Sequence, residues 1–125
     1  MNETDLSGRI IGCAMAVHTA LGPGLLENVY KECLFYKLKK EGLAVEKEKP
    51  LPVIFEEAQI DCGYRLDLVV ENEIVVELKS VKALDDIHLA QTLTYLKLGH
   101  YRLGLLINFN VKLLKDGIRR VIHDV

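Results

Sequence analysis

The chain has 125 residues, half of them hydrophobic and 27% charged, with 16 basic side chains against 18 acidic ones and a formal net charge of -2. That length suits one compact domain over residues 1–125. The composition excludes extensive disorder, and the near balance of charge excludes a protein that coats nucleic acid by bulk charge, though a local basic patch remains compatible with it. No apolar run reaches bilayer length, and the polar start MNETDLSGR lacks the order of a secretory signal, so a cytoplasmic protein with no membrane partner is expected.

In chain order, Thr4 or Asp5 can cap a first helix whose apolar positions Leu6, Ile10, Cys13, Ala14, Val17 and Leu21 recur at helical spacing. Gly22, Pro23 and Gly24 break it, and a second helix starts near Leu25 and ends at Gly42. From Ala44 the pattern turns extended: AVEKEK, LPVIFEE, IDCGYRLDLVVE and EIVVELKS read as strands. Asp85 and Asp86 suit the positive end of a third helix that runs to Leu98 before Gly99. RLGLLINF is a buried strand, and Asp116-Gly117 is a turn signal for a C-terminal hairpin. The expected fold is α/β, a central mixed sheet flanked by helices. Cys13, Cys33 and Cys62 are odd in number, lack metal-ligand spacing and are expected to be buried free thiols.

If the arms YRLDLVV and EIVVELKS fold back around Asn72, one register sets Val69 opposite Val75 and Asp67 opposite Glu77; the hydrophobic pattern selects its parity, with a slip of two still open. Leu66, Leu68, Val70, Ile74, Val76 and Leu78 then share one face, while Asp67, Glu77, Arg65 and Lys79 share the other. Directly opposed carboxylates repel by up to about 1 kcal/mol when exposed, so something should compensate. A Mg²⁺ ion held by both would do so, with Lys79 able to orient water; a solvated face screened by Lys79 and Arg65 is the plain alternative. His88, Gln91 and Tyr95 form one stripe of the third helix and Leu89, Leu93 and Leu96 another. Glu27, in the first turn of the second helix, serves either the helix dipole, a pair with Lys31 at i+4, or a third metal carboxylate. His18 reads as a structural, hydrogen-bonding histidine. Lys112, Lys115, Arg119 and Arg120 are candidate phosphate contacts or a solvated face.

Asp67 followed by Glu77-Leu78-Lys79 resembles the D…(D/E)-x-K signature of the PD-(D/E)XK nuclease superfamily, and Gln91 to Tyr95 resembles the QxxxY motif of its RecB-like branch. Gly24-Leu25-Leu26-Glu27-Asn28-Val29-Tyr30 resembles the motif that names the GxxExxY family, and the likeness runs from about His18 to Arg120. Leu66 stands where the superfamily name has proline, a position that supplies no ligand. The resemblance implies a restriction-endonuclease-like core of helix, three strands, helix and strand. It also implies a metal-dependent nuclease acting on DNA or RNA, with Mg²⁺ or Mn²⁺ on Glu27, Asp67, Glu77 and the Leu78 carbonyl. Lys79 would stand beside the attacking water, with Gln91 and Tyr95 placing Lys79 or the phosphate. A catalytically silent module that binds nucleic acid or a protein is the alternative, and a homodimer is compatible with either.

Overall fold

A computed structural model describes residues 1–124. Helix α1 (Glu3–Leu21) is capped by Asn2, whose side chain accepts from the Asp5 N–H, so the cap lies two residues before the expected Thr4. Gly22 and Gly24 take positive φ of 71° and 97°, and the chain re-enters a helix at α2 (Glu27–Lys40). Strands β1 (Val45–Pro50), β2 (Val53–Phe55), β3 (Ala58–Ile60), β4 (Arg65–Val70) and β5 (Ile74–Lys79) follow, then α3 (Asp86–Gly99), β6 (Leu103–Asn108) and β7 (Ile118–Ile122). The central sheet has the order β1-β4-β5-β6-β7, with β5 and β6 parallel and the other neighbours antiparallel. This is the mixed, helix-flanked α/β core expected of a restriction-endonuclease-like fold. β2 and β3 form a separate hairpin outside it. Among the described residues no helix is long and apolar enough to cross a membrane.

Helical spacing on α1 and α2 directs Leu6, Ile10, Ala14, Tyr30, Leu34 and Leu38 onto one sheet face, against Leu68, Val76 and Leu105. On the other face Leu96 of α3 joins Leu66, Val69, Val75 and Leu106. Each fully buried aliphatic side chain contributes about 1.5–3 kcal/mol, so both faces are energetically committed. The hairpin's second face is therefore not solvated: Val69 and Val75 are buried, and Glu77 is 6% exposed.

Leu66 departs from the expected face, packing with the α3 side while Leu68 packs with α1 and α2. The reason lies on β1, where Glu48, between the Lys47–Leu68 and Lys49–Leu66 pairs, has φ of 54°. A left-handed residue interrupts strand alternation, so Lys47 turns to Glu32 on α2 and Lys49 to the Tyr101 hydroxyl. The C-terminal hairpin also differs in detail. Its first arm is β6 rather than residues 111–115, which bend into a 3₁₀ turn at Leu114–Gly117 before β7 returns along β6. A Cβ on Gly117 would run into the Asn108 carbonyl, which accounts for glycine there. All three cysteines are free, but only Cys13 is buried; Cys62 is exposed and Cys33 lies between.

Candidate active site

Glu71 and Asn72, with φ of 53° and 54°, make the tight turn that pairs β4 with β5 in the expected register, Val69 opposite Val75. The ladder stops at Leu68–Val76. One step further, the carboxylates replace backbone pairing: the Asp67 N–H donates to Glu77 Oε2 at 2.8 Å, and the Leu78 N–H donates to Asp67 Oδ2 at 2.9 Å. Among the described residues no other N–H reaches the two carboxyls and no lysine or arginine forms an ion pair with either, but the two side chains hydrogen-bond each other, the Glu77 carboxyl donating to Asp67 when protonated.

Burial, then the charge of Asp67, pushes the Glu77 carboxyl up to about 8. Burial also raises Asp67, against the Leu78 N–H and the ammoniums of Lys31 and Lys79. Two desolvated carboxyls that share a hydrogen bond, and so a proton a cation could displace, with no ion-pair partner, are a donor set that fits a hard divalent cation. Among the described residues, however, no three acidic, histidine or cysteine side chains gather closely enough to form a closed cage.

On the α2 side, the buried Tyr30 hydroxyl donates to the Gly22 carbonyl at 2.6 Å and accepts from the Leu25 N–H at 3.1 Å, while its ring stacks on Phe109 at 4.6 Å. Ser80, next to Lys79, donates to the Leu25 carbonyl at 2.6 Å. These bonds tie the glycine turn to the end of β5 and set Glu27 at the first turn of α2. Glu27 is solvent-exposed at the mouth, yet its carboxyl is raised by the surrounding protein bulk and then by Asp67, against Lys79 and Lys31. Lys31 forms a 3.3 Å ion pair with Glu48, not with Glu27, and its side chain is 12% exposed. Glu48 gave no sequence signal, since it sits in a run of alternating charges whose left-handed residue only coordinates reveal.

On the α3 side, Asp85 caps the helix and His88 Nδ1 accepts from the Asp85 N–H, so His88 serves the cap. Tyr95 is half-buried and tilted on Tyr64 with ring centroids 5.8 Å apart; its hydroxyl is raised by burial and then by the Glu77 carboxylate, which places it toward the pair. Gln91 is exposed, and neither it nor Tyr95 hydrogen-bonds Lys79 among the described residues. The packing face of α3 explains this. Thr92 and Leu96, rather than Leu93, settle over Gly104, where an added Cβ would lie 3.2 Å from Leu96 and 3.3 Å from Thr92.

Two further features complete the setting. Asn108, 1% exposed, accepts from the Val81 and Asn110 N–H groups and donates to the Val81 carbonyl, anchoring the segment after Lys79. A lone asparagine in an aliphatic strand was its only sequence signal. The four C-terminal cations do not share a face: Lys112 and Lys115 are exposed on the loop after β6, whereas Arg119 and Arg120 are successive on β7, with Arg120 donating to Ser7 Oγ at 3.1 Å. His18 Nε2 lies 2.8 Å from the Val111 carbonyl, the structural role expected of it. A family model for the PD-(D/E)XK nuclease superfamily matches residues 4–121. No curated protein and no solved structure matches the chain.

Proposed function

The chain belongs to the PD-(D/E)XK nuclease superfamily, and on that premise we propose that it is a divalent-metal-dependent nuclease of the GxxExxY type, hydrolysing phosphodiester bonds in DNA or RNA. The observation that carries this is the buried Asp67–Glu77 pair, two carboxyls held against each other with no cationic partner. Asp67, Glu77 and the Leu78 carbonyl would hold Mg²⁺ or Mn²⁺, with Glu27 joining directly or through water. Such an ion would supply positive charge near the phosphate and lower the pKa of nearby water. Lys79 orients the attacking water and offsets charge that develops on the phosphate oxygens. Tyr95 and Gln91 offer a hydroxyl and an amide to the backbone phosphate from the α3 side. The Tyr30 clamp holds Glu27 in register with the pair.

A second reading, a catalytically silent nuclease-fold module that binds nucleic acid or a protein, is favoured by one observation: Glu27 does not close a three-acid cage. Cleavage assays on single-stranded, duplex and structured DNA and RNA, with Mg²⁺, Mn²⁺ or chelator, separate the two. Metal-dependent cleavage that disappears in Glu77→Gln and Lys79→Ala, with native circular dichroism retained, is the expected result. Cleavage that persists in both variants excludes this site, and nucleic-acid binding without turnover selects the silent module.

A further inference from the structure

β5 and β6 run parallel and end together at Lys79 and Asn108, so the loop that follows β6 emerges on the same end of the sheet as the carboxylate pair. There, a cleft of about 450 Å³ opens between the last turns of α1, the glycine turn and residues 112–115. Met15, Pro23 and Leu113 give it apolar walls, and the ammonium-bearing side chains of Lys112 and Lys115 stand at its rim. All five are exposed. The wall is fixed rather than loose, because His18 on α1 holds the Val111 carbonyl at 2.8 Å. The cleft shares the glycine turn with the site: Gly22 lines it, and the Gly22 carbonyl accepts from the hydroxyl of Tyr30 on α2, the helix that begins at Glu27.

We propose that this cleft is a subsite for single-stranded nucleic acid, taking one unstacked base against Met15, Pro23 and Leu113 while Lys112 and Lys115 contact the flanking phosphates. The inference rests on the nuclease reading and deepens it by naming the substrate class. Four properties of the cleft match that occupant. Its apolar walls suit a base face, and its volume falls within the range of small-ligand sites. Its rim carries positive charge for the backbone. Thr19, in the last turn of α1, belongs to the region where helix carbonyls lack intrahelical partners and can accept from base N–H groups. A duplex keeps its bases stacked and would have to unstack one, at a cost of a few kcal/mol, to use the cleft. Single strands offer the base freely.

The test is fluorescence anisotropy of a short labelled oligothymidylate and of a blunt duplex, on the full chain carrying Glu77→Gln, in chelator. Replacing both lysines, Lys112→Ala with Lys115→Ala, should lower the slope of log affinity against log salt by about 1.4, two single-strand phosphate contacts. At about 50 mM salt the loss then exceeds that at 200 mM by roughly sevenfold. Met15→Gln should weaken oligothymidylate binding and leave the duplex unchanged. An unaltered salt slope in the double variant, or equal losses for strand and duplex in Met15→Gln, overturns the subsite. Should the wild type cleave nucleic acid while the lysine variant keeps its KM on single strands, the subsite fails and the nuclease reading stands. A chain that neither binds nor cleaves any nucleic acid overturns both, and capture of a protein segment in the cleft instead overturns the subsite.

Discussion

Replacing Glu77 by glutamine should stabilise the metal-free protein, and increasingly so as the pH rises. The native Glu77 carboxyl titrates near 8 against an ordinary value of 4.5. Between those values the native chain holds a proton that the unfolded chain has released, so native stability falls with rising pH. The contribution is present in full below 4.5 and gone above 8. From about pH 6 to pH 9 this spans roughly two pKa units, or about 3 kcal/mol at 1.36 kcal/mol per unit. Glutamine removes the titration while keeping the geometry: its carbonyl can still accept from the Asp67 N–H, and its amide can donate to the Asp67 carboxylate. Urea unfolding in chelator at several pH values reads the difference directly. The variant's advantage should grow by about 3 kcal/mol over that range, and Mg²⁺ added at the alkaline end should stabilise the wild type but not the variant. An advantage that stays constant with pH, or a wild type that gains on the variant, refutes the desolvated, mutually repelling pair.

Two substitutions test how the pair is framed. Tyr30→Phe removes the hydroxyl that bridges the Gly22 carbonyl and the Leu25 N–H; it should cost about 1–3 kcal/mol in urea unfolding and lower cleavage by releasing Glu27, with far-ultraviolet circular dichroism unchanged. Asn108→Ala strips the Val81 N–H of its partner and leaves the Val81 carbonyl only the Asn110 amide; it should cost about 1–3 kcal/mol and speed hydrogen exchange at the Val81 amide, and unchanged exchange there would remove Asn108 from the support of Lys79.

The fold was legible where residue pattern and physics admit one answer. The Val-rich arms around Asn72 dictate the parity of the register, because a one-residue slip would set aliphatic groups against charges; the pairing of Val69 with Val75, against a slip of two, is settled by the turn at Glu71 and Asn72. The breaks at Gly22 to Gly24 and near Gly42 are similarly forced by backbone conformation, with Gly42 at φ of 85°. The opposing carboxylates of Asp67 and Glu77 followed from that register, as did their shared face. What stayed hidden depends on three-dimensional company. The left-handed Glu48 that sends Leu66 to the other face, the Lys31–Glu48 pair beside the site, and Thr92 packing over Gly104 in place of Leu93 all arise from tertiary packing, for which period and propensity carry no mark. The terminal hairpin was misjoined for the same reason: Asp116-Gly117 is a genuine turn signal, but the partner of β7 is chosen by the open edge of β6.

Anomalous diffraction from crystals soaked in Mn²⁺ tests the central claim most directly. One ion in contact with Asp67 Oδ1 and Glu77 Oε1, absent from Glu77→Gln crystals, is the result expected of a carboxylate pair set to receive a hard cation. An empty fork at saturating Mn²⁺, with both carboxylates still turned to their backbone partners, would contradict it.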